Sequence, residues 1–157
     1  MSIMGIDPGK SGGIASITDG QAAGIPMPLV GKDIDGHELA AILRAAAPEL
    51  VIIEKVGAMP KQGVTSTFNF GAGYGRLLGV CEALGIPYRL VTPQAWKKRV
   101  LAGTAKEKSD AIAFVKRAFP MVDLTPGQKR VPHDGIADAV CLAEYGRQLM
   151  TGNQGAA

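Results

Sequence analysis

The chain has 157 residues, 46% hydrophobic and 20% charged, with a formal net charge of +3. That is enough chain for one domain with a real core, and the composition is ordinary for a folded soluble protein. No apolar run approaches the roughly 20 residues a membrane span needs, and no signal-peptide pattern opens the sequence, so a cytoplasmic protein without membrane contact is expected.

The charge is segregated. Residues 55–130 hold 13 Lys/Arg against 4 Asp/Glu, or +9, and the rest of the chain carries −6. A basic middle with acidic flanks suits a polyanion laid across a carboxylate site, and equally suits a solvated basic face. The only cysteines, Cys81 and Cys141, lie in apolar helical contexts and read as reduced core thiols.

In chain order, Ile3-Met4-Gly5-Ile6-Asp7 is a short apolar strand closed by an aspartate before the Pro8-Gly9 turn. Lys10-Ser11-Gly12-Gly13 turns into a second strand over 13–17, and Asp19-Gly20 into a third around 22–27. Pro26 and Pro28 put that third strand at a sheet edge. Asp35-Gly36-His37-Glu38 opens a helix that runs to Ala46.

Leu50-Val51-Ile52-Ile53-Glu54 is apolar throughout until its last residue, as a central parallel strand is. A Gly/Pro/Ser/Thr-rich loop follows, then a helix over 66–84 stopped by Gly85, and a strand over 86–91. Thr92-Pro93 starts a short helix to Val100, and a further helix spans 106–119. After a basic loop over 126–132, the last helix runs from His133 to Met150. Residues 1–150 are expected to form a single domain, with 151–157 as a disordered tail. The order βββαβαβααα predicts an α/β fold with a mixed five-stranded sheet, three strands antiparallel and then two parallel, flanked by helices.

In such a sheet Asp7 and Glu54 tip neighbouring strands at the carboxyl end, where open α/β sheets place their sites. Asp134 and Asp138 are four apart and share a face of the last helix. Each acid alone has a plainer reading: Asp7 as a turn former, Glu54 as a strand end, Asp134 as an N-cap. Asp138 resists one, because it sits in an Ala-rich apolar stretch. Together, oxygen-only donors select Mg²⁺ or Mn²⁺, and two such ions roughly 4 Å apart activate water against a phosphodiester. His133 is placed either to orient the water or protonate a leaving group, or simply to start the helix. Gly71, Gly75 and Gly79 leave one helix face bare for a close partner, either a helix of this chain or the same helix of a second subunit.

Four stretches now stand in order: Gly5-Ile6-Asp7-Pro8-Gly9, Ile52-Ile53-Glu54, Ala105-Lys106-Glu107-Lys108 and Asp134-Gly135-Ile136-Ala137-Asp138-Ala139. In this the chain resembles a Holliday-junction resolvase of the RuvC family, within the ribonuclease H-like superfamily. Thr92-Pro93-Gln94-Ala95-Trp96-Lys97-Lys98 is similar to the phage-encoded branch. The resemblance implies a homodimeric, Mg²⁺-dependent endonuclease, with Mn²⁺ as a substitute, that makes paired nicks in four-way or other branched DNA. It implies Asp7, Glu54, Asp134 and Asp138 as catalytic, metal-binding acids. It implies Lys108 as a catalytic lysine, and Lys98, Lys108, Phe68 and Arg76 as DNA-binding residues. Cellular members space the last two acids by three residues and place an aromatic wedge where this chain has Gly57. The wedge role is then open among Met59, Phe68 and Phe70. Other readings are a non-cleaving module for branched DNA and a nuclease for RNA–DNA hybrids. An actin-like phosphotransferase needs a second domain that 157 residues do not hold.

Overall fold

A computed structural model describes residues 1–152. Strand β1 (Ser2–Asp7) pairs antiparallel with β2 (Gly13–Thr18), and β2 pairs antiparallel with β3 (Gln21–Pro26). The first turn is closed by the Gly12 N–H donating to the Gly9 carbonyl at 3.1 Å, with Gly9 at φ 119°. Only a residue without a Cβ takes that angle freely. The second turn sets Asp19 and Gly20 at φ 50° and 82°, which suits the twist of a two-residue hairpin.

A second, small hairpin of β4 (Leu29–Val30) and β5 (Asp33–Ile34) comes next, turning through Gly31 at φ 61°. The sequence reading has no element there. Two residues per strand are too few for an alternating pattern to register. Helix α1 (Gly36–Ala46) starts as expected, with Oδ1 of Asp35 accepting from the His37 and Glu38 N–H groups at 3.0 Å each. Strand β6 (Leu50–Glu54) pairs parallel with β1.

Helix α2 (Val64–Ala83) begins two residues ahead of the expected Ser66, and β7 (Tyr88–Val91), parallel to β6, begins two after Ile86. Helix α3 (Pro93–Val100) is capped by Thr92 Oγ1 accepting from the Ala95 N–H. Helix α4 (Lys108–Ala118) opens with Asp110 accepting from the Glu107 N–H at 2.9 Å. Helix α5 (Asp134–Gly152) runs two residues past the expected Met150, so Thr151 and Gly152 of the tail expected over 151–157 are helical, and residues 153–157 lie outside the described residues. The main sheet has the order β3-β2-β1-β6-β7, the mixed five-stranded arrangement predicted.

The sheet separates two cores. Met4, Ile6, Val51 and Ile53 pack against α1 and α2, with Leu39, Leu43, Leu77 and Cys81. Ile3, Leu50 and Ile52 pack on the other face with α3, α4 and α5. Strand residues alternate faces, so Asp7 shares a side with Ile3 and Gly5, and Glu54 with Leu50 and Ile52. Both strand-tip acids therefore project toward the α5 side. Cys81 and Cys141 are buried free thiols, one in each core. Among the described residues no helix is long and apolar enough to cross a membrane.

Helix α5 lies directly on strand backbone. A Cβ added at Gly5 would collide with the Ala139 carbonyl and the Ala143 amide, and one at Gly135 with the backbone of Ser11 and Gly12. Gly13 meets Gly135 and Ile136 in the same way at 2.8–2.9 Å. These absent side chains set how deep the helix sits. Gly71, Gly75 and Gly79 are different: they are exposed, with nothing within 4 Å of an added Cβ. Among the described residues no helix of this chain covers that face, which removes the intrachain alternative.

The two glycine classes should behave oppositely. Gly5→Ala is expected to cost about 1–3 kcal/mol by forcing backbone apart. Gly79→Ala is expected to be neutral or to stabilise by up to ~1 kcal/mol through helix propensity. Urea unfolding of both variants tests this, and similar midpoints would contradict the contact described.

Candidate active site

Asp7 and Glu54 stand one residue beyond Ile6 and Ile53, the last positions at which β1 and β6 pair with each other, and each is paired on its other side, Asp7 with Gly13 and Glu54 with Val91. Asp134 and Asp138 sit in the first two turns of α5, pressed onto the sheet by the glycine contacts. All four acids are partly buried. They are within electrostatic reach of one another. Burial first, then the charges of Asp138, Glu54 and Asp134, push the Asp7 carboxyl up to about 8. Burial, with Glu54 and Asp134 adding to it, raises Asp138 to about 6.

Asp134 goes the other way. The Lys108 ammonium at 2.6 Å from its Oδ2 lowers the carboxyl, and the same pair raises Lys108. Lys108 is itself exposed, the first residue of α4. Glu54 is tied as well: its Oε2 accepts from the indole N–H of Trp96 at 2.7 Å. Two of the four acids thus already have partners. Among the described residues no group of three or more His, Cys, Asp or Glu is arranged to close on a metal ion.

The chemistry of the donor set nonetheless fits a hard divalent cation. All four donors are carboxylates, and two of them are raised above the usual range because burial and the neighbouring acids outweigh the charges of Lys108 and Lys97. A bound cation relieves the same excess charge that protonation relieves. The residues that would hold it are Asp7, Asp138, Asp134 and Glu54.

Beside the acids lies a cleft of about 780 Å³, lined by Asp7, Asp134, Asp138, Lys10, Lys108 and Arg76 among others. Its far wall is the start of α2, with Asn69, Phe70 and Gly73. Glu54 is not on this wall. Arg76 lines the cleft but its Nη1 donates to the Ile34 carbonyl at 2.7 Å, so it also fastens β5 to α2.

Met59, Phe68, Lys98 and His133 lie off the cleft wall. Phe68 is 75% exposed and absent from the cleft wall, which Phe70 occupies instead. Met59 is 70% exposed in the preceding loop. Lys98 is exposed and, among the described residues, makes no hydrogen bond or ion pair with the acids. Trp96 and Val100 turn inward on α3, which sends Lys98 away from the core face. The α3 lysine whose charge reaches Asp138 is Lys97. His133 is the start of the helix: its Nδ1 accepts from the Ile136 N–H at 3.2 Å, the capping role otherwise open to Asp134. Trp96 was missed. A lone tryptophan inside a basic helix, whose N–H needs an acceptor when buried, is the signal that points to it.

No family model matches the chain. Its sequence is similar to the crossover junction endodeoxyribonuclease RuvC of Myxococcus xanthus, 29% identical over 160 residues that span 94% of this chain and 82% of that protein. Its fold is similar to that of Thermus thermophilus RuvC in complex with a Holliday junction substrate, with a TM-score of 0.68 at 19% identity, covering 97% of this chain and 96% of that one. The Fowlpox virus resolvase, solved with its substrate Holliday junction DNA, has a TM-score of 0.53 at 17% identity over 96% of this chain and 99% of that one.

The raised carboxyls make a prediction about cation-free protein. Both folded values lie above the unfolded carboxylate value of about 4, so the folded state binds more protons than the unfolded state above that pH. Stability is then lost as pH rises from about 4 through 6 toward 8. Asp7→Asn is expected to raise the melting temperature in EDTA at about pH 8, and to change it little near pH 4. Added Mg²⁺ should stabilise wild type most at the higher pH. Differential scanning fluorimetry across pH checks this, and a wild-type melting curve indifferent to pH and Mg²⁺ would contradict it.

Proposed function

We propose that this chain, a homologue of the RuvC resolvases by sequence and by fold, is a structure-selective endonuclease that resolves four-way DNA junctions by paired nicks. The observation that carries the reading is the gathering of four carboxylates from two strands and one helix beside a cleft with cationic side chains. A module that only bound DNA would gain nothing from negative charge facing phosphate. The setting is the cytoplasm of a bacterial or phage-infected cell.

Asp7, Glu54, Asp134 and Asp138 would hold the divalent cation, Mg²⁺ with Mn²⁺ as a substitute. When bound, it lowers the pKa of the attacking water and offsets charge on the leaving oxygen. Asp7, whose carboxyl is pushed up to about 8, would give its proton to solvent on loading, whereas Asp138, at about 6, is already largely ionised at neutral pH. Lys108 stands at the cleft wall on Asp134 and exchanges that carboxylate for the scissile phosphate, where its charge steadies the transition state. Lys10 and Arg76 grip flanking phosphates, and Phe70 on the opposite wall offers a ring to an unstacked base.

Paired nicks need two copies of the site. The open glycine face of α2 supports a second subunit there, and a twofold dimer matches the near-twofold symmetry of a four-way junction. The basic middle of the chain supplies the long-range attraction for DNA.

Cleavage of a synthetic four-way junction with Mg²⁺, set against an RNA–DNA hybrid and linear duplex, tests the reading. Asp7→Asn or Asp138→Asn is expected to reduce cutting to background while junction binding persists or tightens, since repulsion of phosphate is relieved. Lys108→Ala should slow single-turnover cleavage roughly 100-fold. Preference for the hybrid, or a near-wild-type rate in either aspartate variant, would overturn the assignment.

A further inference from the structure

We propose that Trp96 is a positioning residue for Glu54, its indole N–H clamping one carboxylate oxygen so that the other is presented to the acid cluster. The inference rests on the nuclease reading only in taking Glu54 as a cation ligand.

Trp96 is the single tryptophan of the chain and is fully buried in the core beneath α5. An indole N–H can only donate, so a buried one requires an acceptor. A neutral carbonyl would satisfy it. Instead, Nε1 meets Oε2 of Glu54 at 2.7 Å, a charge-assisted bond across 42 residues of sequence. Among the described residues this is the only side-chain hydrogen bond Glu54 makes. Oε1 is therefore the oxygen left for a ligand.

The clamp is anchored. Lys97 lies over the Trp96 ring at 5.4 Å, and its charge acts on Asp138. Arg99 reaches α5 twice, from Nε to Oε1 of Gln148 at 3.1 Å and from Nη2 to the Gln148 carbonyl at 3.3 Å. Gln148 in turn donates to the buried Glu144, which Arg147 also holds. Helix α3 thus fixes Glu54, on β6, relative to α5, the helix that carries Asp134 and Asp138. Nothing else among the described residues links the strand-borne glutamate to those two acids by side-chain bonds.

One tryptophan means one indole N–H resonance, so the test reads directly. In wild type that resonance is expected to move as Mg²⁺ is added to the full-length chain without DNA, and to saturate. In Glu54→Gln it should start at a different position and lose the Mg²⁺-dependent movement. Trp96→Phe keeps a ring but removes the donor. It should raise the Mg²⁺ concentration that half-stabilises the fold in a thermal-shift titration by roughly tenfold, as loss of a partner behind a metal ligand does. Junction affinity should be unchanged.

A lower cation-free melting temperature in Trp96→Phe with an unchanged Mg²⁺ midpoint would reduce Trp96 to packing and sink the proposal. So would a wild-type indole signal that ignores Mg²⁺ at concentrations that stabilise the fold. Should the Phe variant fail to fold, the comparison of wild type with Glu54→Gln still decides. A chain that shows the Mg²⁺-dependent indole shift and midpoint change, yet cuts no junction, refutes the nuclease reading and leaves this inference standing.

Discussion

The arrangement depends on one close contact, helix α5 resting on the backbone of β1 and of the turn before β2. Gly5 faces the Ala139 carbonyl and the Ala143 amide, and Gly135 faces Ser11 and Gly12. A single methyl group at either place would hold the helix off the sheet. Asp134 and Asp138 ride on that helix, so its depth sets their distance from Asp7 and Glu54. The same contact explains why α5 is almost wholly buried, from Gly135 to Gly146, with Asp138 a partly exposed exception at the sheet end. Packing and chemistry share one determinant here. Small residues that would weaken an isolated helix are required because the neighbour is backbone rather than side chain.

Bringing four acids together works against stability, and the electrostatics record the conflict. The Asp7 and Asp138 carboxyls are raised to about 8 and about 6, and Asp134 takes Lys108 as a partner. Protonation and pairing are different ways to remove uncompensated negative charge from a partly buried place. The Lys108 pair is exposed on the lysine side, so it adds little to stability. It keeps an ammonium on the wall of the cleft. Stability yields to function at this end of the sheet and is recovered in the two cores on either side of it.

Much of this was legible in the sequence where a local pattern had a physical cause. Acid-tipped apolar strands, Asp35 and Thr92 as caps, Pro26 at an edge and the i, i+4 aspartates all survive in the fold. What escaped depends on tertiary contacts. The β4–β5 hairpin has strands too short to show a period. Which lysine of α3 faces the acids follows from the rotation of that helix, set by burial of Trp96 and Val100: it is Lys97, while Lys98, expected on the DNA, is exposed. Phe70 rather than Phe68 meets the cleft for the same reason on α2. That His133 caps α5 shows only in a hydrogen bond from the Ile136 N–H to its Nδ1, which spacing alone could not reveal.

The four acids also differ in how their freedom is removed, and the difference follows from side-chain length. Asp7 is short, borders the buried Pro8, and sits at the end of a paired strand. Asp134 and Asp138 are short and ride on a helix that cannot shift without breaking its backbone contact. Glutamate carries one more rotatable bond, and immobilising it costs up to about 2 kcal/mol of rotamer entropy. A strand end offers little to hold it. The Trp96 indole supplies what geometry at Glu54 lacks, and because α3 is bonded to α5 through Arg99 and Gln148, the restraint is referred to the same helix that fixes the aspartates. Four acids from distant parts of the chain thereby share one frame of reference, the axis of α5, and a cation bound among them would be held by a single rigid body.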